Sequence, residues 1–264
     1  MEFFLATFEP SPIAFSLGRL DVHWYGLIMA VALFVGYLIV SRLAKRQGMN
    51  RKLVGDTIFY AIIVGLLSAR LYHVLGNVPY YVNNPDQILA IWNGGQAIHG
   101  ALIGGLLVVL FFTKRKKLPF WKFADISSLA LILGQALGRW GNYFNQELYG
   151  GPTNLPWKLL ISPENRLAGY ETVVWYHPAF LYESILNLIL FVVLYRLFIK
   201  QRVTDGSIFL LYIIGYSVIR FVMEFIRIDP VLTFFDWLRW PQVVSILLIT
   251  GAFVLLFRRQ NYTV

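Results

Sequence analysis

Residues 123–150 read FADISSLALILGQALGRWGNYFNQELYG. The first half, Phe123 to Leu137, is an apolar run that reads as a helix in lipid. The second half changes character at once. From Arg139 to Glu147 a guanidinium, the carboxamides of Asn142 and Asn145 among others, and a carboxylate fall within nine positions, with Gly141 among them and Gly138 and Gly150 on either side. Such groups at the edge of a bilayer are costly unless a polar ligand or partner meets them. The stretch therefore sets two expectations: a helical membrane protein, and a site that handles something charged at the membrane surface.

The remainder of the chain agrees. Of its 264 residues 58% are hydrophobic, 17% aromatic and only 14% charged, with a mean hydropathy of +0.61. A soluble domain carries about 25% charged residues. Each helical span uses about 20 residues, so we expect one transmembrane domain over residues 1–264. There is no cysteine, which excludes disulfides, a cysteine metal or redox site, and a thiol nucleophile of the chain's own. The net charge of +9 is not a nucleic-acid signature here, because basic residues alternate with apolar spans; that pattern fits topology and anionic lipid.

The apolar runs predict an all-α fold with seven spans, near 24–41, 53–75, 97–113, 123–138, 179–198, 208–226 and 241–257. Residues 1–22 carry Glu2, Glu9, Pro10 and Pro12 and no basic leader, so they read as a retained interfacial arm and not a cleaved signal. The third and fourth spans are rich in glycine and should pack closely. Basic residues occupy alternate connections: Arg42, Lys45, Arg46, Arg51 and Lys52; Lys114 to Lys117 and Lys122; Lys200 and Arg202; then Arg258 and Arg259 after the last span. This places the C-terminus in the cytoplasm and the N-terminus outside. The outer connection 139–178, with Pro152, Pro156, Pro163 and Gly169, is too long for a turn and predicts a small external cap.

Depth then becomes legible. Tyr25, Arg70, His73, His99, Arg139, Glu183, Arg220 and Glu224 all come out in the outer half of the membrane, which predicts one outward-facing polar cavity. Arg220 and Glu224, at i and i+4, share a face and can pair. Gly134, Gly138 and Gly141 recur at a spacing that serves helix packing. His99 lies among Gly95, Gly100, Gly104 and Gly105, where a second helix or a lipid headgroup can approach its ring. His73 reads as structural. Arg70 has three open roles: phosphate binding, pairing with Glu183, or capping backbone carbonyls.

These residues suit a phosphodiester ligand. Arg139 and Arg220 can grip it bidentately, which Arg does better than Lys. Glu147 and Glu224 are expected to hold the guanidiniums, and Asn142 and Asn145 to bind ester or glycerol oxygens. His99 has an ordinary pKa near neutrality and is the natural general base, with a carboxylate as the other choice. Tyr25 can donate to a developing oxyanion. His23, His73, His99 and His177 lack the spacing of a metal site. No Gly-x-Ser-x-Gly elbow is present.

Gly138–Gly150 resembles the Gly-Arg-x-Gly-Asn-Phe-x-Asn-x-Glu-x-x-Gly signature of prolipoprotein diacylglyceryl transferases, with Tyr143 where Phe is usual. His99–Gly105 resembles that family's His-Gly-Gly-like segment, with Ala101 in place of the second glycine. His23–Gly26, His177-Pro178 with Leu181-Tyr182-Glu183, and Arg220-Phe221 with Glu224-Phe225 also look like family motifs. The resemblance covers essentially the whole chain. It implies a seven-span enzyme of the bacterial inner membrane with its site facing the periplasm and with no metal or organic cofactor. The implied reaction moves the diacylglyceryl group of phosphatidylglycerol to the lipobox cysteine of a prolipoprotein, leaving glycerol 1-phosphate. The acceptor then supplies the thiol that this chain lacks. On this reading His99, Arg139, Arg220, Glu224 and Tyr25 are catalytic, and Arg139, Asn142, Asn145, Glu147, Gly100, Gly104 and Arg220 bind phosphatidylglycerol. A transporter or flippase for anionic lipid is the alternative, although no repeat between halves marks one.

Overall fold

In a computed structural model, residues 4–18, 20–90, 94–200, 204–234 and 237–261 are described; Glu2 and Arg202, used above, lie outside them. Seven long helices follow the predicted spans: α1 (Trp24–Arg46), α2 (Arg51–Gly76), α4 (Ile98–Lys116), α5 (Phe120–Phe144), α6 (Ala179–Ile199), α7 (Ser207–Met223) and α8 (Trp240–Asn261). A short helix, α3 (Val78–Asn83), occupies the connection after α2. Five of them, α1, α2, α4, α6 and α8, are long and apolar enough to cross a membrane, whereas α7 is apolar but has 17 residues. That is short of the seven expected on length and composition. The outlier α5 carries Asp125, Gln135, Arg139 and Asn142 in its length. Large apolar side chains such as Phe34, Leu67, Leu107, Leu247 and Phe253 are exposed, as lipid contact requires.

The all-α expectation needs a local amendment. Among the described residues three two-stranded antiparallel pairs lie outside the long helices: β1 (Ile13–Leu17) with β2 (Leu20–His23), β3 (Leu159–Leu160) with β4 (Trp175–Tyr176), and β5 (Thr233–Phe234) with β6 (Leu238–Arg239). Each is too short to show as a periodic pattern in the sequence. The basic residues sit where helix dipoles favour them: Lys45 and Arg46, Lys114 to Lys116, and Arg258 and Arg259 are in the last turns of α1, α4 and α8.

The chain's contacts divide into two compact units, residues 40–124 and the remainder. In the first, α2 and α4 pack backbone to backbone. Asn50 caps α2, its Oδ1 accepting from the Lys52 and Leu53 amides at 3.0 and 3.2 Å. A Cβ on Gly100 would meet the Ser68 carbonyl and, at 2.7 Å, Tyr72 Cβ; one on Gly104 would meet the Ser68 side chain and, at 2.9 Å, the Val64 carbonyl. Gly105, on another face, has nothing within 4 Å. Gly104→Ala is expected to destabilise the protein by about 1–3 kcal/mol through overpacking, and Gly105→Ala to leave it unchanged. Thermal unfolding in detergent checks this; equal midpoints would refute the packing assignment.

The second unit holds α5 to α8 and the start of the chain. Ser184 of α6 donates to the Ala136 carbonyl of α5 at 2.8 Å, and Gly215 lets α7 approach Leu190 of α6. Asp125 caps α7 from a distance in sequence: its carboxylate accepts from the Gly206 and Phe209 amides at 2.6 and 2.8 Å. Those amides start α7 and have no partner within it.

Candidate functional site

Helix α5 runs to Phe144, past the predicted end of its span, so Arg139 and Asn142 share one helical face and the connection begins at 145, not 139. The helix ends in a Schellman turn. The Gln146 amide bonds the Tyr143 carbonyl at 3.1 Å and the Glu147 amide bonds the Asn142 carbonyl at 3.0 Å. The left-handed position of such a turn is usually glycine, but here it is Gln146 at φ 51°, with Leu148 also positive at φ 55°. A left-handed non-glycine residue costs about 1–2 kcal/mol. The buried Gln146 side chain offsets this by bonding the Pro10 carbonyl at 3.2 Å and the Ser162 amide at 2.7 Å. It ties the arm and the following connection to the end of α5.

That connection is folded on itself. Tyr143, Tyr149, Leu159, Ile161, Tyr176 and Phe180 form a buried cluster. The Tyr149 hydroxyl donates to the Asn165 carbonyl at 2.9 Å and accepts from the Leu167 amide at 2.8 Å, while Tyr176 donates to the carbonyls of Tyr170 and Val173. Burial pushes both phenols up from their ordinary pKa. Gly150 and Gly151 are wedged between His177 and the stretch Ile226–Arg227, with amides bonded to the His177 and Ile226 carbonyls at 2.9 Å each. A Cβ on Gly150 would lie 2.7 Å from His177 Cβ. The signature's last glycine thus draws the ends of α5, α6 and α7 together.

At that junction lies a buried ion network. Glu183, 1% exposed in the first turns of α6, pairs with Arg139 of α5, with Arg227 Nη1 at 3.2 Å, and stands 4.0 Å from Arg220 Nη1. Glu224, 2% exposed, pairs with Arg220 at 2.8 Å and with Arg239 of β6 at 3.1 Å. Asp229 pairs with Arg227 at 2.7 Å, and Arg239 also donates to the backbone carbonyls of Glu224, Arg227 and Asp229. Burial pushes the Asp229 carboxyl up, but the Arg227 hydrogen bond and charge, with Arg239 and Arg220, more than offset it and hold it below the usual carboxylate range. Four guanidiniums face three carboxylates, so the cluster keeps one positive charge. Arg220 Nη1 is buried and donates no hydrogen bond among the described residues.

Beside this network runs a polar relay. Arg139 Nη1 donates to Asn142 Oδ1 at 3.3 Å, and Asn142 Nδ2 donates to Glu147 Oε1 at 2.8 Å, which also accepts from Asn145 at 3.4 Å. The Tyr25 ring packs against Gly141, where a Cβ would come within 2.8 Å of Cε2.

The expected residues thus fall into two groups. Tyr25, Arg139, Asn142, Asn145, Glu147, Glu183, Arg220 and Glu224 come together in the second unit. Arg70, His73, His99, Gly100 and Gly104 come together in the first. Glu224 holds a guanidinium as expected. Glu147 does not: it reaches Arg139 only through Asn142. Gly100 and Gly104, expected at the lipid, are buried against α2, so the approach their missing side chains allow is that of a helix. Of Arg70's three roles the structure selects the carbonyl cap. Its guanidinium donates to the carbonyls of Gln87, Ile88, Gly94 and Gly95, two of them presented by glycines at φ 80° and 71°. That clamp fixes the lead into α4, where His99 is exposed with Tyr72 at a ring distance of 6.0 Å. Sequence reasoning missed Arg227, Asp229 and Arg239. The available signal was two arginines in a connection assigned to the outer face, where the positive-inside pattern leaves them unexplained.

The fold and this network define a multi-pass helical membrane protein with an arginine-rich junction of net positive charge at one end of its helices. A family model described as prolipoprotein diacylglyceryl transferase matches residues 12–258. The chain belongs to that family and is a transferase. Among similar proteins named phosphatidylglycerol–prolipoprotein diacylglyceryl transferase, one from Trichormus variabilis is 44% identical over 247 residues, covering 92% of this chain and 87% of the relative. One from Synechocystis sp. is 40% identical over 269 residues, covering 98% and 94%. One from Halalkalibacterium halodurans is 42% identical over 248 residues, covering 92% and 84%. Diacylglyceryl transfer in lipoprotein maturation is therefore the chemistry its residues serve.

Proposed function

We propose that the donor is phosphatidylglycerol and the acceptor the lipobox cysteine of a prolipoprotein, and that the enzyme works in the bacterial inner membrane with its site facing the periplasm. In this reading all seven long helices span, the N-terminus lies outside, the C-terminus is cytoplasmic, residues 1–22 form an interfacial arm and the connection after α5 is a periplasmic cap. The observation that carries it is the pair Arg139 and Arg220, both turned toward Glu183, with Arg220 Nη1 buried and donating no hydrogen bond among the described residues. Two guanidiniums presented from different helices suit the oxygens of one phosphate.

The thiol sulfur attacks the glycerol carbon bonded to the phosphate oxygen. A carbon–sulfur bond forms, the carbon–oxygen bond breaks, and glycerol 1-phosphate leaves with the electron pair. Charge grows on the departing phosphate, where Arg139 and Arg220 stabilise it in a water-poor setting. Asn142 and Asn145, oriented by Glu147, bind the neighbouring glycerol and ester oxygens. His99 takes the thiol proton; its exposed ring supports that role. Tyr25, seated on Gly141, orients the lipid.

Purified protein in phosphatidylglycerol vesicles should release glycerol phosphate only when a lipobox peptide is added. Release without peptide would indicate a phospholipase-like enzyme, and no release the transporter reading. His99→Gln should lower that rate about 10²–10⁴-fold, as loss of a general base does. Restoration of the variant by raising pH, which forms thiolate in solution, would support the role. Lipidation by His99→Gln at the full rate would remove His99 as the base.

A further inference from the structure

The arginine network has a second polar layer behind it. Glu183 of α6 pairs with Arg139 of α5 and stands 4.0 Å from Arg220 of α7. About one turn from each toward the middle of its helix lie Gln135, Asn187 and Tyr216, about 6 Å deeper along the same faces. The Tyr216 ring stacks on that of Tyr212 at 6.1 Å. Asn187 is wholly buried, and neither its Nδ2 nor its Oδ1 has a hydrogen-bond partner among the described residues; Gln135 Oε1 is likewise unpaired. A buried carboxamide with both ends unpaired is left without the hydrogen bonds that water would give it, which is costly. It is out of place in the stretch from Ile185 to Leu194, which is otherwise apolar.

The chemistry of the unpaired atoms selects a ligand. A lipid ester offers only acceptors and would satisfy Nδ2 but leave Oδ1 unpaired. A peptide main-chain amide satisfies both, its carbonyl accepting from Nδ2 and its N–H donating to Oδ1. The proposed acceptor brings such a group to this depth. Its thiol must reach a carbon beside the arginines, and the residues before its cysteine come from an apolar segment within the bilayer. An extended segment there carries amides that water cannot satisfy and that the enzyme must meet. Resting on the proposed function, we infer that Asn187, supported by Gln135, is a docking site for the main chain immediately preceding the acceptor cysteine. The phosphate layer and the peptide layer would then be one helical turn apart, which sets the thiol against the carbon it attacks.

The test uses vesicle-reconstituted enzyme, a lipobox peptide, and analogues N-methylated singly at each of the three residues before the cysteine. One analogue should raise KM for the peptide about three- to tenfold, the loss of one hydrogen bond, while KM for phosphatidylglycerol stays unchanged. In Asn187→Leu, KM for the unmodified peptide should rise similarly and the sensitive analogue should cost nothing further. A rise in KM for phosphatidylglycerol instead would overturn the inference in favour of a lipid ester contact. A flat scan on the unmodified enzyme would overturn it whether or not Asn187→Leu folds. An unmodified enzyme that never lipidates the peptide would fail the proposed function itself, a result separate from either outcome.

Discussion

Arg139→Ala is expected to lower kcat for lipidation about 10²–10³-fold, the loss seen when one preorganised donor to a developing anion is removed. Arg139→Lys should recover little of it. Lysine keeps the charge but not the planar fork, and Arg139 uses separate nitrogens at once, one on Glu183 and one on Asn142. The measurement is single-turnover transfer to a lipobox peptide at saturating phosphatidylglycerol, so that a weaker KM for lipid cannot mimic slower chemistry. A normal kcat with only a raised KM would mean that Arg139 binds the ground state and does not stabilise the leaving phosphate. Arg220→Ala should fall in the same range. The double variant should lose less than the product of the two, because both arginines lean on Glu183.

Glu183→Gln carries the largest expected effect on stability, about 3–5 kcal/mol, the cost of removing one member of a buried charge set. The substitution conserves shape, so the loss reports charge alone. Glu183 is 1% exposed and faces Arg139, Arg220 and Arg227. Without its charge, the four guanidiniums of the network have only Asp229 and Glu224 to balance them. Thermal unfolding in detergent reads the effect, and phosphate in the buffer should restore part of it by taking the anionic place. An unchanged midpoint would show that the network is screened by solvent and is not the closed ion cluster described here. Glu147→Gln, by contrast, should lower activity with little effect on stability. Its carboxylate is exposed and touches the network only through Asn142.

Part of this site was legible in the residues. The Arg220–Glu224 pair follows from helical spacing, and the Arg139–Asn142 contact follows once α5 is known to reach Phe144. Glu147 was misread because proximity in sequence was taken for contact, whereas the left-handed turn at Gln146 swings it onto the two asparagines. The glycines of α4 gave no hint of direction. Spacing says that a small residue is needed, but only packing says whether lipid or helix fills the gap, and here Ser68 does.

By itself the sequence determined a membrane protein of long apolar helices, the alternation of basic connections, and the signature Gly138–Gly150. These are local quantities, fixed by hydropathy, periodicity and charge along one segment. The tertiary structure alone decided which charges far apart in the sequence meet. Glu183 is 44 residues from both Arg139 and Arg227, and Asp125 caps a helix more than 80 residues away. Nothing in a one-dimensional pattern specifies such partners. They are selected when three helix ends and their connections converge and each buried charge must find its opposite. For the same reason Arg70 had three open roles in the sequence and one in the fold: the glycine turn before α4 points its carbonyls at the guanidinium, and a buried cation takes the acceptors that surround it.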